Sequence, residues 1–419
     1  MIPDQVPRIV VIGGGAAGFF GAIACAEGAK GEIDICVLEM GRNFLTKVKI
    51  SGGGRCNVTH GLEDTFNFAE HYPRGKRELI GPLSRWSQKD TVWWFRENGV
   101  ELKTEEDGRI FPVTDSSQTV IDCLIGVAKG KGIKAKNNCC VHRIDKSDDG
   151  SFRIWINGAE DPIEADYLLV ATGGIRSANS RDLLESLGHE FTFPVPSLFT
   201  FEVKDDQLTE LSGLSVPSAS VGVDSFGMKS TGPLLITHWG LSGPVILKLS
   251  ALGARKLEQL DYQFKIHVNW LGEDWNSEKL SQKIESERNS NGSRKILNRS
   301  PIRDVPNRLW NRIVSGAGVA DGQTWSELTR QVTAQIIKSL IAEEFEVSGK
   351  SLNKAEFVTC GGVILRDLDL RTMESRLVEN LFFAGEVMDV DGFTGGFNFQ
   401  SAWTTGRIAG DEIAQRCSI

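Results

Sequence analysis

Apolar residues open the chain in a tight block. Arg8-Ile-Val-Val-Ile-Gly13 has the length and composition that a strand buried on both faces requires. The Ala-rich stretch 16–29 predicts a helix. Glu32-Ile-Asp-Ile-Cys-Val-Leu38 alternates before turning apolar and predicts a second strand that ends at Glu39. Strand, helix and strand form a βαβ opening. The same layering continues downstream. Val120, Leu124, Val127 and Ala128 share one face of a helix over 115–129, and 134–144 and 152–156 read as strands. Tyr167-Leu-Leu-Val-Ala171 is another short buried strand, running into Thr172-Gly-Gly174.

The pattern changes after Pro194-Val-Pro196. Short strands at 199–203, 218–224, 234–237 and 262–268, separated by Gly, Ser and Pro, predict a barrel or sandwich. Ser242-Gly-Pro-Val opens a helix with Pro in its first turn. Residues 276–346 turn helical: Thr324-Trp-Ser-Glu327 has the form of a capping box, and Leu328, Val332, Ile336 and Leu340 recur at four-residue spacing. The polar run 286–301 predicts a mobile loop. Asn380-Leu-Phe-Phe-Ala-Gly385 restores the buried-strand signal, and a helix is expected to close the chain from Asp411. The expected class is α/β, a nucleotide-binding doubly wound domain interrupted by an insertion. Its expected pieces are 1–195, a barrel-like insert 196–272, a helical insert 273–346, and a return to the first domain over 347–419.

Composition narrows the function. Length 419 allows two to three domains, and 47 Lys and Arg against 55 Asp and Glu leave a net charge of −8, which excludes a bulk-basic nucleic-acid coat. Glycine is in surplus, 45 residues where about 7% is usual, and marks tight turns or backbone close to a ligand. The eight cysteines contain no C-x-x-C and the six histidines no H-x-x-x-H, so neither a metal site nor a redox dithiol is expected. The uncharged run 9–26 is 18 residues long but holds five glycines, which suits a strand and glycine turn rather than a membrane span. A soluble, cytoplasmic protein without membrane contact is expected. The oligomeric state is not legible.

Three segments carry chemistry. Gly13-Gly-Gly15-Ala-Ala-Gly18 matches G-x-G-x-x-G between a strand and a helix, and Glu39 follows 21 residues after Gly18 at a strand end. The glycines let backbone amides and the helix dipole reach a pyrophosphate, and the carboxylate suits ribose hydroxyls while repelling a 2′-phosphate. That reading admits FAD or NAD(H). Next, Thr46-Lys-Val-Lys-Ile-Ser-Gly-Gly-Gly-Arg-Cys-Asn57 places three glycines among Arg42, Lys47, Lys49 and Arg55, with no acid from 41 to 62. It suits either an anionic ligand or a solvated basic loop. Last, Gly385 to Ala402 holds a strand end, acids and Gly395-Gly396 leading into a helix whose amides can face an electron-rich edge.

The strings KVKISGGGRCNVTH (47–60), GPLLITHWGLSGP (232–244), TCGGV (359–363), TMESR (372–376) and FAGEVMDVDGFTGGFNFQSAWTTG (383–406) resemble the BaiN/RdsA-type, or aminoacetone-oxidase-like, family of FAD-dependent oxidoreductases, over about residues 8–410. The resemblance implies a glutathione-reductase-like FAD domain interrupted by a β-barrel and a helical insert. It implies that Gly13, Gly15, Ala16, Ala17 and Gly18 hold the pyrophosphate, Glu39 the adenosine ribose, and Val141 the adenine. Ser51, Gly52, Gly53, Arg55, Cys56 and Asn57 would border the ribityl chain and ring, Ala171, Thr172 and Gly173 would lie under the cofactor, and Gly385, Glu386, Gly396, Phe397 and Asn398 would cap the flavin. Many members carry Asn where this chain has Gly53.

No second strand–G-x-G-x-x-G–helix occurs, so NADH or NADPH as electron donor would dock transiently. The family likeness implies either reduction of an activated C=C bond, including a ribosomal-RNA uracil, or O2-dependent oxidation of a small amine. A flavin-containing binding protein is the third alternative. Cys56, beside Arg55, is either a proton donor to a substrate carbon or a packed side chain. His238, in Thr-His-Trp-Gly, is either an acid or base or a structural histidine. Trp239 beside it can wall a substrate pocket, and Cys139-Cys140 reads as part of a strand. Two basic stretches, 287–312 and 129–146, each carry net +5. They suit either a solvated face or an RNA partner, the latter through 288–312.

Overall fold

The computed structural model describes residues 6–351 and 358–418, arranged as two compact units: Met1–Pro196 with Lys354–Ile419, and Ser197–Asn353. The first unit is built on a seven-stranded sheet. Arg8–Ile12 lies in its middle, parallel to Asp34–Leu38 on one side and Tyr167–Val170 on the other. Lys134–Lys136 and Leu381–Phe383 extend the parallel run outward, and the short strands Glu374–Ser375 and Leu368–Asp369 add an antiparallel edge. The apolar runs form these strands because both faces of the sheet are covered: Val11, Val37, Leu168, Leu169, Phe382 and Phe383 are fully buried.

Two helices pack closely against each other beside this sheet, Ala16–Gly28 and Phe397–Arg416. Glycine permits the approach. A Cβ at Gly410 would lie 2.2 Å from the Gly21 carbonyl oxygen, and one at Gly406 would lie 2.6 Å from that of Ala17. The helix expected after Gly395-Gly396 and the one expected from Asp411 are a single closing helix, Phe397–Arg416. A three-stranded antiparallel sheet (Val141–Lys146, Phe152–Ile156, Ile163–Ala165) completes the unit's layers.

The expected single strand over 134–144 is two strands in different sheets. Asn138 between them takes a left-handed φ of 53°, and the N–H groups of Asn138 and Cys139 donate to the carbonyls of Gly41 and Glu39. Cys139 and Cys140 therefore lie in the link and not in a strand.

The second unit is a closed six-stranded antiparallel barrel in the order Thr200–Val203, Gly240–Ser242, Met228–Thr237, Ser215–Val223, Phe264–Asn269 and Glu343–Ser351. Strand alternation turns Phe201, Val221, Ile266 and Val268 inward. Pro244–Gln259 is the helix that starts on Pro, and Ser277–Asn291, Asn307–Gly316 and Arg330–Ile341 fill the connection between the last two strands.

Two expectations change here. The predicted loop 286–301 is helical to Asn291 and then anchored by a Lys295–Thr324 bridge and a 3-10 turn at Ile296–Asn298, because Ile296 is fully buried. The helical insert ends earlier than predicted, since Glu343–Ser351 is the strand that closes the barrel against Thr200–Val203. The Thr324–Glu327 capping box does form, but around a 3-10 turn. No helix among the described residues is long and apolar enough to cross a membrane.

Candidate functional site

The first glycine turn lies at the carboxyl ends of the parallel strands, where open α/β sheets bind ligands. Its three fingerprint glycines differ in their surroundings. Gly13 has φ +114°, and a Cβ there would lie 2.2 Å from the Ala171 carbonyl oxygen; at Gly18 it would lie 1.9 Å from that of Gly13. Both are required by the protein's own packing. At Gly15 a Cβ would have nothing within 4 Å, so this glycine borders open space at the N-terminus of a 13-residue helix. Ala17 is buried against the closing helix, while Ala16 is half-buried.

Glu39 is oriented from both sides. Its Oε2 accepts the Gly14 N–H at 2.8 Å and its Oε1 accepts the Gly41 N–H at 2.7 Å. Each carboxylate oxygen keeps a further lone pair, enough for two ribose hydroxyls. Val141 is buried, and its carbonyl accepts from Asn179 at 2.8 Å. Ala171 is buried under the turn. Thr172 and Gly173 are half-buried, and Gly173 at φ +75° again faces open space.

The second glycine loop leaves its helix at Ser51, whose ψ is 148°, and Gly52, Gly53 and Gly54 follow with φ of 58°, 68° and 85°. No neighbour would meet a Cβ at Gly53 or Gly54. Left-handed backbone is the region Asn tolerates best among non-glycine residues, so the position suits either Gly or Asn. Arg55 is less free than its window suggested. Its guanidinium pairs with Glu105 at 2.6 Å and Asp115 at 3.4 Å and sits 4.0 Å from the centre of the Phe111 ring. Lys47 pairs with Glu386 at 2.5 Å, and Glu386 accepts the Thr359 N–H at 2.8 Å. The Asn57 amide nitrogen donates to the carbonyls of Ile110 and Thr59, and its oxygen accepts from Gly396 N–H.

The third segment leaves the sheet after Leu381–Phe383 and ends on Gly396, the left-handed cap of the closing helix. A Cβ at Gly396 would lie 2.6 Å from the Thr59 carbonyl, so the second and third segments touch there. Gly385 N–H donates to Thr405 at 2.9 Å. Asn398 braces the loop itself, accepting from Gly392 N–H and donating to Gly392 O, each at 2.8 Å. Phe397 is buried between aromatic neighbours.

Of the two candidate acids or bases, Cys56 is fully buried, with a left-handed φ of 62°, and burial pushes its thiol up to about 12. A side chain without exposed surface has no route to a substrate carbon, so burial supports the packing role. Cys56→Ala is expected to keep cofactor and turnover within a few-fold while lowering stability by about 1 kcal/mol; urea titration and steady-state rates check this. His238 lies in the barrel unit, on the exposed turn between Met228–Thr237 and Gly240–Ser242, beside Trp239, which is 65% exposed. Sequence reasoning missed Tyr72, Arg74 and Asp391. The pairing of Arg74 with the fully buried Asp391 spans the chain and leaves no local signal.

The basic stretch divides in two. Arg294, Lys295, Arg299, Arg303 and Arg308 are exposed. Arg312 is not part of that face: its side chain is 11% exposed and pairs with Glu343 at 2.8 Å and Asp205 at 3.2 Å.

The open space at Gly15, Gly53, Gly54 and Gly173, together with the doubly held Glu39, fits an adenine dinucleotide with a second planar end. The profile of the HI0933-like protein Rossmann domain matches residues 7–412. The chain is 27% identical over 420 residues to the ribosomal RNA dihydrouridine synthase of Escherichia coli, covering 98% of each chain. It is 26% identical to the 3-dehydro-bile acid delta(4,6)-reductase of Clostridium scindens, covering 98% of this chain and 99% of that one. The crystal structure of 3-ketosteroid-delta4-(5alpha)-dehydrogenase from Rhodococcus jostii shares the fold, with TM-score 0.53 and 14% identity over 99% of this chain and 98% of that one. The chain belongs to the HI0933-like Rossmann family and is an FAD-dependent oxidoreductase.

Proposed function

We propose that this protein is an NAD(P)H-driven reductase of an activated C=C bond, and that its substrate is a uracil in ribosomal RNA. Two relatives named for different substrates support the reaction class: one is named a ribosomal RNA dihydrouridine synthase and the other a 3-dehydro-bile acid delta(4,6)-reductase, and both names describe saturation of a C=C bond. The observation that favours RNA is the set of five exposed cations between Arg294 and Arg308 on a chain of net charge −8. Exposed positive charge clustered along one stretch of an acidic protein suits a directed polyanion.

FAD held in this cradle would supply the redox chemistry. The chain's own residues bind and orient it. The amides of the first turn and the N-terminus of Ala16–Gly28 would hold the pyrophosphate, and Glu39, fixed by Gly14 and Gly41, would receive the ribose. The N-terminal amides of the closing helix would stabilise the flavin edge that becomes more negative on reduction. Among these segments, neither Cys56 nor an exposed histidine supplies an evident proton donor.

Anaerobic mixing with NADH and then NADPH is expected to bleach the flavin rapidly. Bleaching by a small amine alone would point to an oxidase instead. If the exposed arc contacts about five phosphates of partly single-stranded RNA, log affinity should fall with log salt at a slope of about −3.5, so a fourfold rise in salt weakens binding about 10²-fold. Arg299→Glu with Arg303→Glu and Arg308→Glu is expected to flatten that slope while FAD content and flavin reduction persist. Equal, weak binding of ribosomal RNA by wild type and the triple variant would remove the RNA reading.

A further inference from the structure

The segment His71-Tyr-Pro-Arg-Gly75 belongs to none of the three ligand-facing strings, yet four of its five residues hold the 390–397 loop. His71 accepts the Phe393 N–H at 2.9 Å through its carbonyl, and its ring lies parallel to that of Phe397, with centroids 4.3 Å apart and planes 11° apart. Tyr72 is fully buried and donates its hydroxyl to the Phe397 carbonyl at 2.7 Å. Arg74 makes a two-pronged pair with Asp391, Nε to Oδ1 at 2.5 Å and Nη2 to Oδ2, and the two residues also form an antiparallel backbone bridge. Gly75, at φ +81°, packs where a Cβ would lie 2.7 Å from Val390.

The loop needs such support. It carries glycine at 385, 392, 395 and 396 and contains only the short 3-10 turn Gly385–Val387. Glycine-rich backbone does not fix its own direction. Its far end is Gly396, the cap of Phe397–Arg416, so it sets the placement of that helix's first turn, and the field of a helix N-terminus falls off within about one turn. A small rotation there changes how strongly the amides meet a charge beyond them.

We propose that residues 71–75 are a positioning clamp that sets the approach of the closing-helix N-terminus to the flavin and thereby tunes the reduction potential. The inference rests on the reading that FAD lies along the 385–397 loop. Tyr72 and Arg74 are positioning residues: they act through Phe397 and Asp391 and touch no reacting atom.

The test uses the full-length holoprotein and three variants. Tyr72→Phe removes one hydroxyl with no change of shape, and Arg74→Lys keeps the charge but loses the planar fork. Leu124→Ala, in the core of the same unit, is the control for loss of stability alone. The readouts are FAD content and the flavin midpoint potential measured against a reference dye. Tyr72→Phe and Arg74→Lys are expected to keep stoichiometric FAD and to shift the reduction equilibrium about tenfold toward the oxidised form, or about 30 mV for a two-electron couple. Leu124→Ala is expected to leave the potential unchanged. Potentials of Tyr72→Phe and Arg74→Lys within twofold of wild type in equilibrium constant, with FAD bound, overturn the clamp. So does an equal shift in Leu124→Ala. Wild-type protein that binds no FAD overturns the flavin placement itself.

Discussion

Gly15→Val is expected to give a folded, colourless protein. The backbone at Gly15 has φ −93°, which any residue adopts, and an added Cβ meets nothing within 4 Å. The folded chain therefore tolerates the side chain. The space it fills is the approach of the pyrophosphate to the amides at the start of Ala16–Gly28. Loss of charge-assisted hydrogen bonds worth about 1.5–3 kcal/mol each should weaken FAD by about 10²-fold or more. Gly18→Val is expected to fail differently, since its Cβ would lie 1.9 Å from the Gly13 carbonyl oxygen and the strand–helix turn itself would have to open. Circular dichroism, thermal melts and the flavin absorbance of purified protein separate the two outcomes. Stoichiometric FAD in Gly15→Val would show that the pyrophosphate lies elsewhere.

Arg312→Ala should be the most damaging single change in the basic stretch. Arg312 pairs with Glu343 and Asp205, and Trp270 donates to the same Glu343 carboxylate at 2.6 Å. Removing the guanidinium leaves a largely buried carboxylate without its cation, a change that typically costs about 3–5 kcal/mol. Arg303→Ala, on an exposed side chain, is expected to stay within about 0.5 kcal/mol. Urea midpoints at neutral pH test both.

The pH dependence follows from Glu343. Burial pushes its carboxyl above the ordinary range and Arg312 holds it back. A carboxyl raised in the fold favours the protonated folded state, so its cost is absent below the unfolded value and grows as pH rises through the interval up to the folded one. Without Arg312 that interval widens upward. The variant's deficit should therefore be larger at pH 8 than at pH 5, and a deficit independent of pH would mean that Glu343 is not the group left exposed to the loss.

Much of the nucleotide unit was legible because its signals are local. A buried parallel strand is a short apolar run, its glycine turn is fixed by spacing, and the ribose carboxylate falls at the end of the next strand, so Arg8 to Glu39 carries the motif within one stretch of chain. The resemblance of five strings then named the further segments expected to border the cofactor. Local signals failed where the partner is distant. The barrel closes by pairing Thr200–Val203 with Glu343–Ser351, and the latter strand, with mainly Phe345 and Val347 turned inward, follows a helix too directly to declare itself by periodicity.

Charge was misread for the same reason. Arg55 lies in a window free of acids, yet the fold brings Glu105 and Asp115 to it. Arg312 lies in a basic run, yet the fold takes it inside to Glu343 and Asp205. The sequence by itself determined the strand–turn–helix cradle and the family, because backbone sterics and burial periodicity act over a few residues. Only the tertiary structure decided which cations are exposed, which cysteine is sealed, and that residues 71–75 grip the 390–397 loop, because ion pairing and burial depend on residues the chain brings together from far apart.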